Sequence, residues 1–242
     1  MLLKSVPAKS CLLLVSLLAI HAHAARYNFD DEKAWLSDAN AMAAWQETLD
    51  KHQQQRAALL ACEGPRGCRG RLKSFNRMLQ KGQSLSVDEK IELTNYYINR
   101  NRYDDDRFKR LYDEDGNKVG VLRSQWTTLY DFLMKAGDCE DYATSKYFML
   151  RELGLKADDM RVVAVYSREL GGYHAILAVR RDNGSVWLLD SDNRIRKGRH
   201  QRYRYIYALN EHSIWDHRKD YAGSTRLTAP HPTQRGNEVA SE

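Results

Sequence analysis

Proline is scarce in this sequence, with four residues in 242 beside fourteen glycines, and that excludes a collagen-like or low-complexity chain. No segment returns at a fixed period, which excludes a solenoid or a propeller. After residue 20 no apolar run approaches the roughly 20 residues that a membrane span needs, so the chain is not expected to be an integral membrane protein. Cysteine is nearly absent, with four residues in all. What is present is the composition of a folded domain. Aliphatic and aromatic residues make up 43% and charged residues 29%, with a mean hydropathy of −0.67. Leu, Ile, Val, Tyr and Trp recur along the whole length, enough apolar surface to offset the entropy of ordering the chain. The length fits one large domain or two small ones.

The first 24 residues read differently from the rest. Lys4 and Lys9 form a basic start, Cys11 to Ile20 is an apolar run of ten, and Ala22-His23-Ala24 offers a small-x-small cleavage site. This is the pattern of a secretory signal peptide cut after Ala24, and it predicts an exported chain. The domain is then expected over residues 25–223, with 224–242 a polar tail. Export removes Cys11 and leaves three cysteines. Cys62 and Cys68 lie in the tight run Cys-Glu-Gly-Pro-Arg-Gly-Cys, where an oxidising compartment favours a local disulfide. Cys139 is left as an odd thiol, either buried and inert or reactive for a purpose. Losing Lys4 and Lys9 lowers the net charge from +6 to +4. Arg194, Arg196, Lys197, Arg199, Arg202 and Arg204 concentrate positive charge late in the chain. Without a stacking or base-reading motif, the run reads as a solvated basic face and not as a nucleic-acid site.

Residues 29–60 carry helical periodicity through Trp35, Ala39, Met42, Trp45 and Leu49. A second helix is expected around Leu72–Leu79. A third opens at Ser86, with Glu89 three residues on as a capping box. Residues 101–120 are polar and turn-rich and read as a surface loop. Asp113, Asp115 and Gly116 there do not keep the register of a calcium-binding loop. From Trp126 the pattern changes. Asp138 can cap a helix running from Cys139 to Leu153, with Gly154 just past its end. Strand-like runs follow at Arg161–Ser167, Tyr173–Arg180, Ser185–Asp190 and Tyr203–Leu209. Helices first and an antiparallel sheet afterwards predict the α+β class.

Three residues in this half carry chemistry. Cys139 sits in the first turn of its helix, where partial positive charge favours a thiolate and a free backbone N–H can stabilise an oxyanion. A thiolate nucleophile needs a base, and the base needs an orienting group. His174 lies in a strand, and Asp190 ends the next one. A three-residue hairpin loop of Asp182, Asn183 and Gly184 would pair Arg181 with Ser185. His174 would then face Asp192, and Asp190 would face Ile176, so that His174 and Asp190 share one face as diagonal neighbours. A two-residue loop would put them on opposite faces. Asp190 and Asp192 both remain open as the group that orients His174.

The runs Trp126-Thr-Thr, Gly137-Asp-Cys-Glu-Asp-Tyr-Ala, Lys146-Tyr, Leu153-Gly, Arg161-Val-Val, His174-Ala-Ile-Leu and Leu189-Asp190 resemble the bacterial transglutaminase-like cysteine proteinase family. Within it the sequence is most similar to the periplasmic adhesin-cleaving, LapG-type branch. The resemblance covers about residues 70–215. It implies a papain/transglutaminase-like fold and a Cys-His-Asp triad, which falls here on Cys139, His174 and Asp190. It also implies dependence on calcium (Ca2+), held by acidic residues beside the nucleophile, here Asp138, Glu140 and Asp141. Without the metal those positions read as an N-cap and two favourable first-turn acids. Thr128-Leu129 and Ala175 stand where the family often has proline and methionine. The implied substrate is the N-terminal region of a large surface adhesin, whose release promotes biofilm dispersal. The implied inhibitor is the periplasmic domain of an inner-membrane receptor for cyclic di-GMP. Gln125 is a candidate for the second oxyanion donor. The same three residues would equally serve a transglutaminase or a cell-wall amidase, and a non-catalytic binding homologue is the third reading.

Overall fold

The computed structural model describes residues 27–29, 34–61, 70–105, 110–112, 114–115, 117–121, 126–198 and 202–218. The expected signal peptide, the Cys62–Cys68 pairing, Gln125 and the polar tail lie outside these residues. Among the described residues no helix is long and apolar enough to cross a membrane.

The hairpin that decides the site has the expected register. β5 (Gly172–Arg180) and β6 (Val186–Leu189) pair antiparallel, from Arg180↔Val186 down to Leu177↔Leu189. Arg181 N–H donates to Ser185 O at 2.8 Å, and Gly184 takes φ 75°. That conformation is open to glycine at little steric cost, which is why Asp-Asn-Gly turns the chain here. β4 (Met160–Ser167) flanks β5 on its other side along its whole length, and β8 (Tyr203–Leu209) flanks β4, with a bulge at Ala164/Val165.

Three further strands complete a seven-stranded sheet. β7 (Ile195–Lys197) continues from β6, β9 (Ser213–Asp216) lies outside β8, and β1 (Trp35–Asp38) forms the far edge against β9. β1 corrects the expectation of one helix over 29–60. Trp35, Ser37 and Asp38 pair with Trp215, Ile214 and Ser213, and Ala39 N–H reaches His212 O at 2.9 Å. An open sheet edge offers backbone bonds that outweigh a local helical pattern. Helix α1 therefore starts only at Ala43 and runs to Leu60. A second correction concerns 101–120. This stretch holds the short pair β2 (Arg110–Tyr112) and β3 (Lys118–Val121), and Tyr103 bridges Gly137 in parallel. Strands of three and four residues are too short for a period to be read from the sequence.

The helices α2 (Gly70–Gly82), α3 (Val87–Ile98), α4 (Leu129–Met134) and α5 (Cys139–Glu152) pack with α1 on one face of the sheet. Ser86 and Glu89 form the expected reciprocal cap of α3. α5 is buried along nearly its whole length, and Gly154, at φ 90°, ends it. Fully buried Trp45 stacks on Phe148 and donates Nε1–H to Asn210 O at 2.8 Å, which ties α1 to the turn before β9. The opposite sheet face is covered by a smaller cluster that includes Tyr27, Phe29, Ile176 and Tyr205. The architecture is α+β, with helices packed on an antiparallel sheet.

Candidate active site

In an antiparallel strand alternate residues point their N–H and C=O to the same neighbour. Arg181 N–H points toward β6, so by alternation the Ala175 N–H does too. The last β5–β6 pair is Leu177↔Leu189, so Ala175 lies beyond the end of that ladder, with β4 on its other side. The N-terminus of α5 comes up to that gap, with the Ala175 N–H close enough to the Cys139 thiol to favour its thiolate. The nucleophile candidate thus rests against the backbone of the residue that follows His174. Cys139 is a free, half-buried thiol. Its S–H donates to Glu140 Oε2 at 3.2 Å, turning the proton toward a carboxylate instead of the imidazole. Burial pushes the thiol well up. The charges of Glu140 and Asp138 and the Glu140 hydrogen bond push it further, while the Ala175 N–H pulls it back.

His174 and Asp190 meet as the register requires. His174 Nε2 and Asp190 Oδ1 are 2.6 Å apart, and the two residues are 7% and 6% exposed. Burial would raise the Asp190 carboxyl. The His174 hydrogen bond and charge, the Tyr203 hydroxyl and the Arg196 guanidinium outweigh it and hold the carboxyl well below the usual range. Against an ionised carboxylate Nε2 is the donor, and Nδ1 is left as the basic nitrogen. Asp192 stands elsewhere, bonded to Arg196 at 2.7 Å and to the Arg194 N–H at 3.0 Å. The facing pair His174↔Asp192 does not form, because β6 ends at Leu189 and the chain turns through Asn193 at φ 64°. Arg196, counted with the solvated basic face, is in fact largely buried between Asp192 and Asp190.

Asp141 locks the start of α5. Its Oδ1 accepts the Thr127 N–H and hydroxyl, both at 2.8 Å, and its Oδ2 accepts the Asp138 N–H at 3.2 Å. Burial raises its carboxyl to about 7 against those hydrogen bonds. Gly137 permits the close approach, since a Cβ there would lie 2.3 Å from Asp141 Oδ2.

A family profile for bacterial transglutaminase-like cysteine proteinases matches residues 88–219, more than half of the chain. The chain belongs to this family. Its fold is similar to that of LapG from Legionella pneumophila, solved bound to calcium. The identity is 21% and the TM-score 0.52, over 70% of this chain and 87% of that one. EGTA-treated LapG aligns with the same identity and TM-score, over 72% and 87%. No curated protein matches the sequence. A cysteine peptidase of LapG-type fold is therefore the frame for the remaining residues.

Of the acidic residues expected to hold a metal, Asp138 and Glu140 offer oxygens within 4.8 Å of each other and of the Cys139 sulfur. The two carboxylates are 5% and 9% exposed, hard donors that suit a hard cation such as calcium, whereas the sulfur does not. They fit the ion. Asp141 is not in this group, its oxygens being taken up by Thr127 and the helix cap.

Several residues at the site were given no role there from the sequence. Lys146, in the middle of α5, is fully buried and donates Nζ–H to Asp190 O at 2.6 Å. Burial lowers its ammonium to about 7 against the opposing charges of Asp190 and Asp192. Asn99, which caps the C-terminal end of α3, donates to the same carbonyl at 2.9 Å, and the Tyr203 hydroxyl bonds Asp190 Oδ2. A lysine inside an otherwise buried helix was the one available signal. Asn99, Tyr203 and Arg196 give none, because only the fold brings them to Asp190.

Proposed function

We propose that this protein is a periplasmic, calcium-dependent cysteine endopeptidase. It cuts the N-terminal region of a large surface adhesin, which frees the adhesin and promotes biofilm dispersal. The observation that carries the reading is the His174–Asp190 contact at 2.6 Å, taken with the free thiol at the start of α5. In this mechanism His174 Nδ1 takes the Cys139 proton and the thiolate attacks the scissile carbonyl carbon. The developing oxyanion is met by the Cys139 N–H at the helix start. The imidazolium then protonates the leaving amine as the C–N bond breaks, and water hydrolyses the thioester with His174 again as base. Asp190 holds the ring with Nε2–H toward itself throughout. Asp138 and Glu140 would hold calcium, whose charge would offset the two carboxylates that now disfavour the thiolate. That ion would also occupy the oxygen to which the thiol is bonded.

The export pattern of residues 1–24 supports the periplasm, and resemblance to the LapG-type branch supports the adhesin. The same resemblance supports regulation by sequestration on the periplasmic domain of an inner-membrane cyclic di-GMP receptor. The test is incubation of the mature protein with adhesin N-terminal regions and calcium, followed by mass mapping. The expected product is a single hydrolysed peptide bond, absent with Cys139→Ala. An isopeptide crosslink would mark an acyl transferase instead. Cleavage that survives in folded Cys139→Ala would end the reading.

A further inference from the structure

We propose that Lys146 and Asn99 are positioning residues of this site: together they grip the main-chain carbonyl of Asp190 and so keep its carboxylate on His174. The proposal rests on the peptidase reading above. Asp190 lies one residue past the last pair on either side of β6, Leu177↔Leu189 and Leu189↔Ile195. The ladder therefore ends before the residue whose position matters most. Its carbonyl is held instead from behind the sheet, by Lys146 Nζ of α5 at 2.6 Å and, at the C-cap of α3, Asn99 Nδ2 at 2.9 Å. Asn95, one turn earlier on α3, donates to Asn193 O at 3.0 Å and anchors the far end of the same turn. The 190–193 turn is thus fixed to the two helices, one of which begins at the nucleophile.

The chemistry of Lys146 argues against packing alone. Its side chain is completely buried, with the ammonium 5.8 Å from the centre of the Tyr142 ring, and its one hydrogen bond among the described residues goes to Asp190 O. Desolvating an ammonium is strongly unfavourable, and an unbranched apolar side chain would fill the same space without that penalty. Asp190 and Asp192 both favour the charged form. A rigid donor tied to α5 links the position of Asp190 to the helix that carries Cys139, which is the distance the reaction needs held constant.

The experiment compares wild type, Lys146→Met and Asn99→Ala in the calcium-loaded mature protein. Each is first shown to unfold cooperatively. Long-range proton–nitrogen spectra of His174 then report which ring nitrogen carries the proton, and steady-state cleavage gives kcat and KM separately. Wild type should hold the Nε2–H tautomer. In Lys146→Met the tautomers should mix and kcat should fall about 10²-fold, as for a displacement near 1 Å, with KM changed less than about twofold. Asn99→Ala should shift both in the same direction by less, and it carries the test if Lys146→Met does not fold. A single fixed tautomer and unchanged kcat in the folded variants would overturn the proposal. If wild type holds the tautomer but cleaves no adhesin region, the peptidase reading fails, and the spectra of the variants still decide whether Lys146 and Asn99 position Asp190.

Discussion

Replacing Gly137 by alanine tests how the start of α5 is built. A Cβ at 137 would lie 2.3 Å from Asp141 Oδ2, 2.5 Å from its Cβ and 2.7 Å from its Cγ. The Asp141 Cβ is fixed to the helix backbone and cannot swing aside. Nor can residue 137 retreat freely, because its carbonyl accepts the Asp104 N–H at 2.9 Å and it bridges Tyr103. Rotating Asp141 gives up Thr127 and the Asp138 N–H and still leaves its Cβ in the way, so the chain at 137–138 shifts and carries Cys139 with it. Overpacking costs about 1–3 kcal/mol and losing a hydrogen bond to a charged acceptor about 1.5–3. The entropic gain of Gly→Ala returns at most about 1 kcal/mol. A net loss of about 3 kcal/mol follows, which is a fall in Tm of about 6–12 °C for a domain of this size. The assay is thermal unfolding of Gly137→Ala alone and in an Asp141→Gly background. In that background all three atoms that the added Cβ would meet are gone, and Gly137→Ala should cost less than about 1 kcal/mol, a coupling that exposes the contact. Equal losses in both backgrounds, or a Gly137→Ala Tm at the wild-type value, would refute the reasoning.

Asp190→Asn should keep the fold and lower kcat by about 10⁴-fold by removing the charge that fixes the His174 tautomer, while Asp192→Asn should change it little; a comparable loss at Asp192 would reassign the orienting group. His52 is stacked on Phe148 and buried, which lowers its pKa from 6.5 to about 4 despite Glu152. The unfolded chain binds this proton near 6.5 and the folded chain only near 4, so stability should decline by about 3 kcal/mol as pH falls across that window. Denaturant titrations should find this acid limb flattened in His52→Phe; an identical slope would exclude His52 as its source. Trp45→Phe removes the donor to Asn210 O and leaves a gap in a fully buried site, for a loss of about 2–3 kcal/mol in urea unfolding; an unmoved midpoint would contradict that packing. Chelation should abolish cleavage and calcium restore it, with binding by calorimetry weakened in Asp138→Asn and Glu140→Gln. Unchanged cleavage under chelation would reject the metal role.

The parts of the site that lay open in the sequence are those governed by near neighbours. Asp182-Asn183-Gly184 set the hairpin register, and the register put His174 and Asp190 on one face. Asp138 before Cys139 and Gly154 after Leu153 marked the ends of α5, and Ser86 with Glu89 marked the start of α3. The choice between Asp190 and Asp192 was not legible, because it turns on where β6 stops and not on spacing. Nor was β1, whose residues satisfy a helical period as well as a strand. It became a strand only because β9, nearly 180 residues later, leaves its edge open.

Local chemistry along the chain was therefore enough to specify the turn, the helix caps and the residue types of a thiol-dependent site. Those interactions span a few residues, and their geometry is set by backbone sterics. The bonds that give the site its shape join residues apart in the chain: Lys146 and Asn99 to the Asp190 carbonyl, Asp141 to the Thr127 amide. Each depends on which backbone groups remain unpaired once helices and sheet have packed, and only the assembled fold determines that.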